Sequence, residues 1–317
     1  MPESLPAFGL EPQYREYVWG GARLRPGKIT AEAWIVHEGN RILSGPLTGK
    51  TLAEAAEESG PALLGHRSVR RIGNRFPLLI KLLDCAQWLS LQVHPNDEQA
   101  VVLEGAGQFG KTEAWHILNA DPDAEILCGF RSGVTKEMID QSIRDGSILN
   151  YTQKISMHTG DTIFIPAGTV HALGPGLLAY EVQQTSDITY RVFDWNRPAS
   201  AGRKIHIEQS LAVLDSTASG HPIQEPPFED GNQRNLVQCP YFSLNMLSLE
   251  SKSIQLNTAF STFHTLTPIE GTVKITGTGW EMEKRIYETS VIPASAGKYT
   301  LSPMGKVRIL KSSIEEL

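Results

Sequence analysis

The sequence predicts a mainly β protein built as two related barrels, with a few short helices attached to the first. Three observations predict it. Most segments are short, β-branched or aromatic, and bounded by Gly and Pro, as strands are; the chain holds 28 Gly and 19 Pro. Helical patterns are few, and none stands out beyond about Asn235. Two stretches, GDTIFIPAGTVHAL (160–173) and YETSVIPASAGKYTL (287–301), share a strand ending in Ile-Pro-Ala, then small residues, then another strand. At 317 residues the chain has room for two domains, since ~100–200 residues per domain is usual.

Taken in order, the first helix follows Thr51, which with Glu54 has the form of a capping box ahead of AAEE. LSLQVHPNDE (89–98) reads as a strand entering a turn. Alternation then puts Gln92 and His94 on one face, with Val93 on the other. A solvated polar face would give the same pattern. A second helix starts near Asp97, in DEQAVVLEG. Next, GAGQFGKT (105–112) fits two phosphate-cradling signatures at once. Both work only where a strand runs into a Gly-rich turn and a helix N-terminus. Here a helix precedes and a strand follows, and repeated βα units are missing, so the stretch reads as a connection.

In GKTEAWHIL, Lys111 and Glu113 alternate onto one strand face, with Trp115 beyond. The third helix is TKEMIDQSIRDG, with Thr135 as N-cap and Gly146 as stop. IPAGTVHAL places His171 in a strand, and after Gly174-Pro175-Gly176 the chain returns as LLAYEVQQ. A three-residue hairpin loop there would pair residues 171 and 179 and put Glu181 on the face of His171. A fourth helix, HIEQSLAVL, ends near Leu214. Residues 215–235 are polar and rich in Pro, Gly and Ser, a linker or long connection. The expected domains are 1–220, carrying the helices and a metal site, and 236–317, a degenerate copy without metal. Aligned on Ile-Pro-Ala, His171 falls opposite Lys298, so only the first copy keeps the imidazole.

Composition narrows the partners. A net charge of -6 argues against a nucleic-acid footprint, which needs a basic face. No apolar run approaches the ~20 residues of a membrane span, and the N-terminus lacks the form of a signal peptide. Cys85, Cys128 and Cys239 make no CxxC and no disulfide framework. The expectation is a soluble cytoplasmic protein whose metal, if any, takes His, carboxylate and amide ligands.

Gln92, His94, Glu113 and His171 supply such a set, each interrupting an otherwise apolar strand where the strands could converge. Two imidazoles, one carboxylate and one amide oxygen suit one borderline divalent ion such as Zn²⁺, other divalent ions being possible. Singly, each reads as well as a hydrogen-bonded core residue, or Glu113 as a partner for Lys111.

The motifs Q-V-H-P, K-T-E-x-W, P-A-G-x-x-H and E-V-Q-Q-x-S-D-x-T-Y-R-V-x-D together resemble the type I mannose-6-phosphate isomerases, in their short bacterial form. The resemblance covers residues 12–215 well and the remainder more loosely. It implies a metal-dependent enzyme with two cupin-like jelly rolls, interconverting mannose 6-phosphate and fructose 6-phosphate. It implies that Gln92, His94, Glu113 and His171 are zinc ligands, that Lys111 is the active-site lysine, and that Glu181 and Arg191 are further polar site residues. Departures fall at Ala31, where the family has Gly, at Ile35, where it has a second acid, and at His116; they bear on which sugar is held.

Aldose–ketose isomerisation moves a proton between C1 and C2 through a cis-enediol, which asks for a cation at the developing charge and a base at the carbon. Glu181 is the candidate base; the alternative is a partner that orients a ligand. Arg191 and Lys111 would stabilise the enediolate or grip the phosphate. Asp187 reads as a turn residue and Asp194 as a partner for Arg197. The competing functions are a non-catalytic sugar-binding or regulatory cupin, and an isomerase of a different sugar. The sequence leaves the oligomeric state open.

Overall fold

The computed structural model describes residues 4–197 and 203–315. It is mainly β, with five short α-helices among the described residues. The chain forms two compact units, one of Tyr14–Ala33 and Lys81–Glu225, the other of Met1–Gln13, Trp34–Ile80 and Pro226–Leu317.

In the first unit two sheets face each other. One runs in the order Gln13–Arg15, Glu32–Val36, Leu78–Asp84, Leu177–Gln184, Glu113–Ala120, Thr162–Ile165, with Gln13, 34–36 and 78–80 counted in the other unit. The other runs Tyr190–Phe193, Leu91–Val93, His171–Leu173, Glu125–Phe130, Thr152–Ser156. Alternation of side chains sorts each strand between two environments. Trp115, Ile117, Ile163, Ile165 and Ala179 of the first sheet meet Ile126, Cys128 and Leu173 of the second in the gap between them. The intervening residues of the second sheet, including Leu91, Val93, Ala172, Tyr190 and Val192, pack on Ile139 and Ile143 of the helix Lys136–Asp145 and Val213 of the helix Ile207–Val213. Gly146 stops the former helix at φ 81, in the left-handed region, where glycine meets no Cβ clash.

The second unit repeats the plan. Its six-stranded sheet runs Phe8–Gly9, Ser290–Ile292, His264–Glu270, Val307–Ser313, Ser243–Leu249, Asn232–Gln238. Its four-stranded sheet runs Ile254–Asn257, Lys298–Pro303, Val273–Gly277, Trp280–Lys284. Leu247, Leu266, Ile292 and Ile309 of the larger sheet share one core with Val273, Ile275, Tyr299 and Leu301 of the smaller. In both units the Ile-Pro-Ala triplet carries the chain from the larger sheet to the smaller, from Thr162–Ile165 to His171–Leu173 and from Ser290–Ile292 to Lys298–Pro303.

Three expectations need correction. The sheets are open, not closed into barrels. The units do not divide at 220: residues 34–80 belong with the C-terminal strands. With them go two helices, Leu52–Ser59, capped by Thr51 and Glu54 as expected, and Pro61–Ile72, which the sequence reading missed. Gly65, at φ 79 inside that second helix, interrupts its periodicity. Finally, His171–Leu173 and Leu177–Gln184 are not a hairpin. His171 pairs with Gln92 on one side and Cys128 on the other, while Leu177–Gln184 lies in the facing sheet. The Gly174–Gly176 turn carries the chain between sheets. A Cβ on Gly174 would lie 2.2 Å from the Glu125 carbonyl oxygen, so only glycine allows that approach.

Candidate functional site

The gap between the sheets of the first unit is apolar along most of its length and polar at one end. Gln92 and His94 alternate inward from Leu91–Val93, while Leu91 and Val93 face the helices. His171 is the direct partner of Gln92 on the next strand. From the opposite sheet Glu113 faces them, with Lys111 just before it. The register therefore brings Gln92, His94, Lys111, Glu113 and His171 together from two sheets.

The distances bear this out. Glu113 Oε1 lies 3.2 Å from His171 Nε2, and Oε2 lies 3.5 Å from His94 Nε2. Lys111 Nζ is 2.8 Å from Glu113 Oε2 and 2.9 Å from His94 Nε2. Gln92 Nε2 is 3.3 Å from His171 Nε2. His94, Glu113 and His171 are all buried.

Both imidazoles are turned by the backbone. His94 Nδ1–H donates to the Ile188 carbonyl at 2.9 Å and His171 Nδ1–H to the Thr169 carbonyl at 2.8 Å. Such a bond fixes the tautomer and leaves the Nε2 lone pair pointing inward, as metal-ligating histidines have it. Burial, then the charge of Lys111, holds His94 well below the usual imidazole range, so its ring is neutral. Burial alone would push the Glu113 carboxyl up, but Lys111 and the imidazoles outweigh it and keep it ionised. Among the described residues neither Glu113 oxygen accepts a well-formed hydrogen bond, Lys111 meeting Oε2 as an ion pair. Lys111 answers Oε2 as a cation at 2.8 Å, but Oε1 faces the His171 Nε2 lone pair at 3.2 Å, an arrangement that is costly unless a second cation lies between them. His94, Glu113 and His171 can thus hold a metal ion, their donor atoms lying within 4.8 Å of one another. The amide of Gln92 could add its oxygen by a half-turn of the amide plane.

Glu181 lies deeper on the same inward face, opposite Trp115. Its Oε2 accepts from Trp115 Nε1 at 2.9 Å, and Lys81 Nζ is 3.0 Å from its Oε1. Lys81 is buried; desolvation works against its charge, but Glu181 and then Glu32 outweigh this and raise its pKa. The sequence reading missed Lys81. Its signal was a lone lysine inside the apolar run LLIKLLD.

Arg191 is the cross-strand partner of Gln92, half-buried, with an Nε–H that has no acceptor among the described residues. Asp194 does pair with Arg197, at 2.8 Å, and also with Arg203, at 3.2 Å. His116 faces the opposite way from Glu113 and bonds Thr162 Oγ1 at 2.9 Å, so it lies outside the site. The glycine-rich 105–110 stretch follows the helix Asp97–Glu104 and precedes a strand, as expected. A Cβ on Gly110 would lie 2.5 Å from the Asn96 backbone, and its N–H is already bonded to Asp97 Oδ1 at 2.7 Å.

Known proteins match this chain along most of its length. The family model for the phosphomannose isomerase type I catalytic domain matches residues 7–132. The probable mannose-6-phosphate isomerase GmuF of Bacillus subtilis is 34% identical over 310 residues, covering 92% of this chain and 95% of its own. The mannose-6-phosphate isomerase ManA of the same organism is 36% identical over 260 residues, covering 77% and 80%. The crystal structure of a mannose 6-phosphate isomerase from Bacillus subtilis has a TM-score of 0.85 at 30% identity, covering 97% of this chain and 99% of that one.

Proposed function

The chain belongs to the type I phosphomannose isomerases, and on that premise we propose that it interconverts mannose 6-phosphate and fructose 6-phosphate through a cis-enediol. The observation that carries the reading is the buried Glu113 carboxylate, paired with Lys111 at Oε2 only and flanked by two imidazoles whose Nε2 atoms face it. Gln92, His94, Glu113 and His171 would hold the metal, and their donor types favour zinc. When bound, that ion supplies Lewis-acidic charge for the enediolate oxygen.

The remaining steps fall to side chains. Glu181 takes the proton from one of C1 and C2 and returns it to the other. Trp115 and Lys81 hold its carboxylate in one orientation before substrate arrives. Arg191, with its unused Nε–H, and Lys111 answer the phosphate and the developing charge. Two facing sheets in each unit support the cupin-type jelly-roll reading, with the metal centre in the first unit and the second without one. Three free, buried cysteines fit the reducing cytoplasm.

The test is a panel of 6-phospho-aldoses and free aldoses, assayed after metal reconstitution. Mannose 6-phosphate should be isomerised fastest. A preference for another sugar would refute the assignment, and no turnover of any would leave the binding-protein alternative.

A further inference from the structure

The register of the two units carries a correspondence beyond the Ile-Pro-Ala crossing. Glu113 stands across from Ile165, and His264 stands across from Ile292. His264 is therefore the counterpart of Glu113. On the next strand Glu181 is opposite Trp115, two residues beyond Glu113, and Lys311 is opposite Leu266, two residues beyond His264. Lys311 thus holds the position of Glu181. Asn245 lies across from Lys311 on the strand that follows. Alternation with Leu247, Leu266 and Ile309, all in the core, turns Asn245, His264 and Lys311 into the gap between the sheets.

Where the first unit is acidic, the second therefore has hydrogen-bond donors. His264 Nδ1 is 2.7 Å from the buried Tyr299 hydroxyl. Burial pushes that phenol well up, so it keeps its proton; in the tautomer in which the hydroxyl donates to Nδ1, His264 carries its own proton on Nε2. The Asn245 carbonyl oxygen accepts from Gln233 and Asn235 at 3.2 and 3.4 Å, which fixes its NH₂ as the outward group; one of its hydrogens goes to Ser243 Oγ at 3.4 Å. Lys311 has no hydrogen bond or ion pair among the described residues. Glu315, the acid nearest to it in charge, is held by Arg67 at 2.8 Å and Ser313 at 2.9 Å.

The three residues are each 5% exposed, whereas Leu247, Leu266 and Ile309 are 0%. Each of the three thus keeps a small exposed fraction that those apolar neighbours lack. A buried ammonium without a partner is unfavourable, and burial accordingly lowers the pKa of Lys311.

We propose that the second unit carries a small-anion site on Lys311, His264 and Asn245, in the position that the acidic centre occupies in the first unit, and that it takes the phosphate group of a small molecule. An ammonium at the Glu181 position also opposes a divalent cation, so the two sites differ in the sign of their ligand.

The test is equilibrium dialysis of the full-length protein against labelled inorganic phosphate, with fructose 6-phosphate as competitor. The wild type should bind two equivalents. Lys311→Met and, separately, Asn245→Leu should weaken one of them at least tenfold while isomerisation stays within twofold of wild type. Lys111→Ala should affect only the other equivalent. Competition by fructose 6-phosphate for the Lys311-dependent equivalent would identify a sugar phosphate as the occupant; indifference would identify free phosphate. A single equivalent in the wild type, or two that neither Lys311→Met nor Asn245→Leu alters, overturns the proposal.

Discussion

Replacing Glu181 by Gln separates two things that one carboxylate does. The amide oxygen can still accept from Trp115 Nε1, now at 2.9 Å, so the local shape survives. Lys81, 3.0 Å away and buried, loses its counter-charge. Breaking a buried pair from one side costs about 3–5 kcal/mol. For a unit of this size that is roughly 2–4 °C per kcal/mol, a fall of about 10 °C in melting temperature. On the proposed mechanism catalysis loses the base as well, worth ~10²–10⁴-fold in kcat, or about 3–5 kcal/mol of barrier. Metal content and KM should barely move, because a base acts on the carbon acid only in the transition state. Adding Lys81→Met to Glu181→Gln removes the stranded ammonium, so the melting temperature should recover while the rate does not. The assay is exchange of the substrate C2 proton with deuterated water, run on protein shown to be folded by near-UV circular dichroism. Exchange and isomerisation by Glu181→Gln at near wild-type rates would refute the reasoning and move the base to Lys81 or Lys111.

Other outcomes follow from the same geometry. His171→Ala or His94→Ala should lose most of the one bound metal ion, measured by elemental analysis after dialysis; full occupancy in both would remove the centre. Lys111→Ala should damage isomerisation while the wild type shows no ATP binding by calorimetry; micromolar ATP affinity dependent on Lys111 would restore the nucleotide-binding reading of the 105–112 stretch. His264 predicts a pH dependence of stability. Its folded pKa lies well below 6.5, through burial and then the charge of Lys311. Above about pH 6.5 it is neutral folded or unfolded; as pH falls towards the folded value only the unfolded chain takes the proton, so stability drops by up to ~1.4 kcal/mol per pH unit. His264→Phe should flatten the melting curve against pH between 6.5 and 5; an unchanged slope would count against the burial argument.

The clustering of the candidate residues was legible in the sequence because period-two alternation survives translation into structure. Gln92 with His94, and Lys111 with Glu113, do share inward faces, and their apolar neighbours show where each strand turns. The partners of those strands were not legible. A Gly-Pro-Gly turn can close a hairpin or carry the chain to a facing sheet, and only the crowding of Gly174 against Glu125 decides between them. Lys81 was hidden for a different reason. Inside LLIKLLD it is surrounded by residues that define a core strand, and its acceptability there depends on Glu181, a hundred positions away. The helix Pro61–Ile72 was lost to Gly65, whose positive φ breaks the pattern that would have announced it.

Because the buried His171–Glu113 contact joins residues of opposite sheets, the first unit is fastened at its polar end by polar contacts in addition to packing. Sliding one sheet past the other would part that contact before it exposed much of the apolar interior. The two layers are therefore geared together at the point where substrate would be handled. Amides of Leu91–Val93 and Glu113–Ala120 should then open to solvent as one cooperative group, although the strands lie in different sheets.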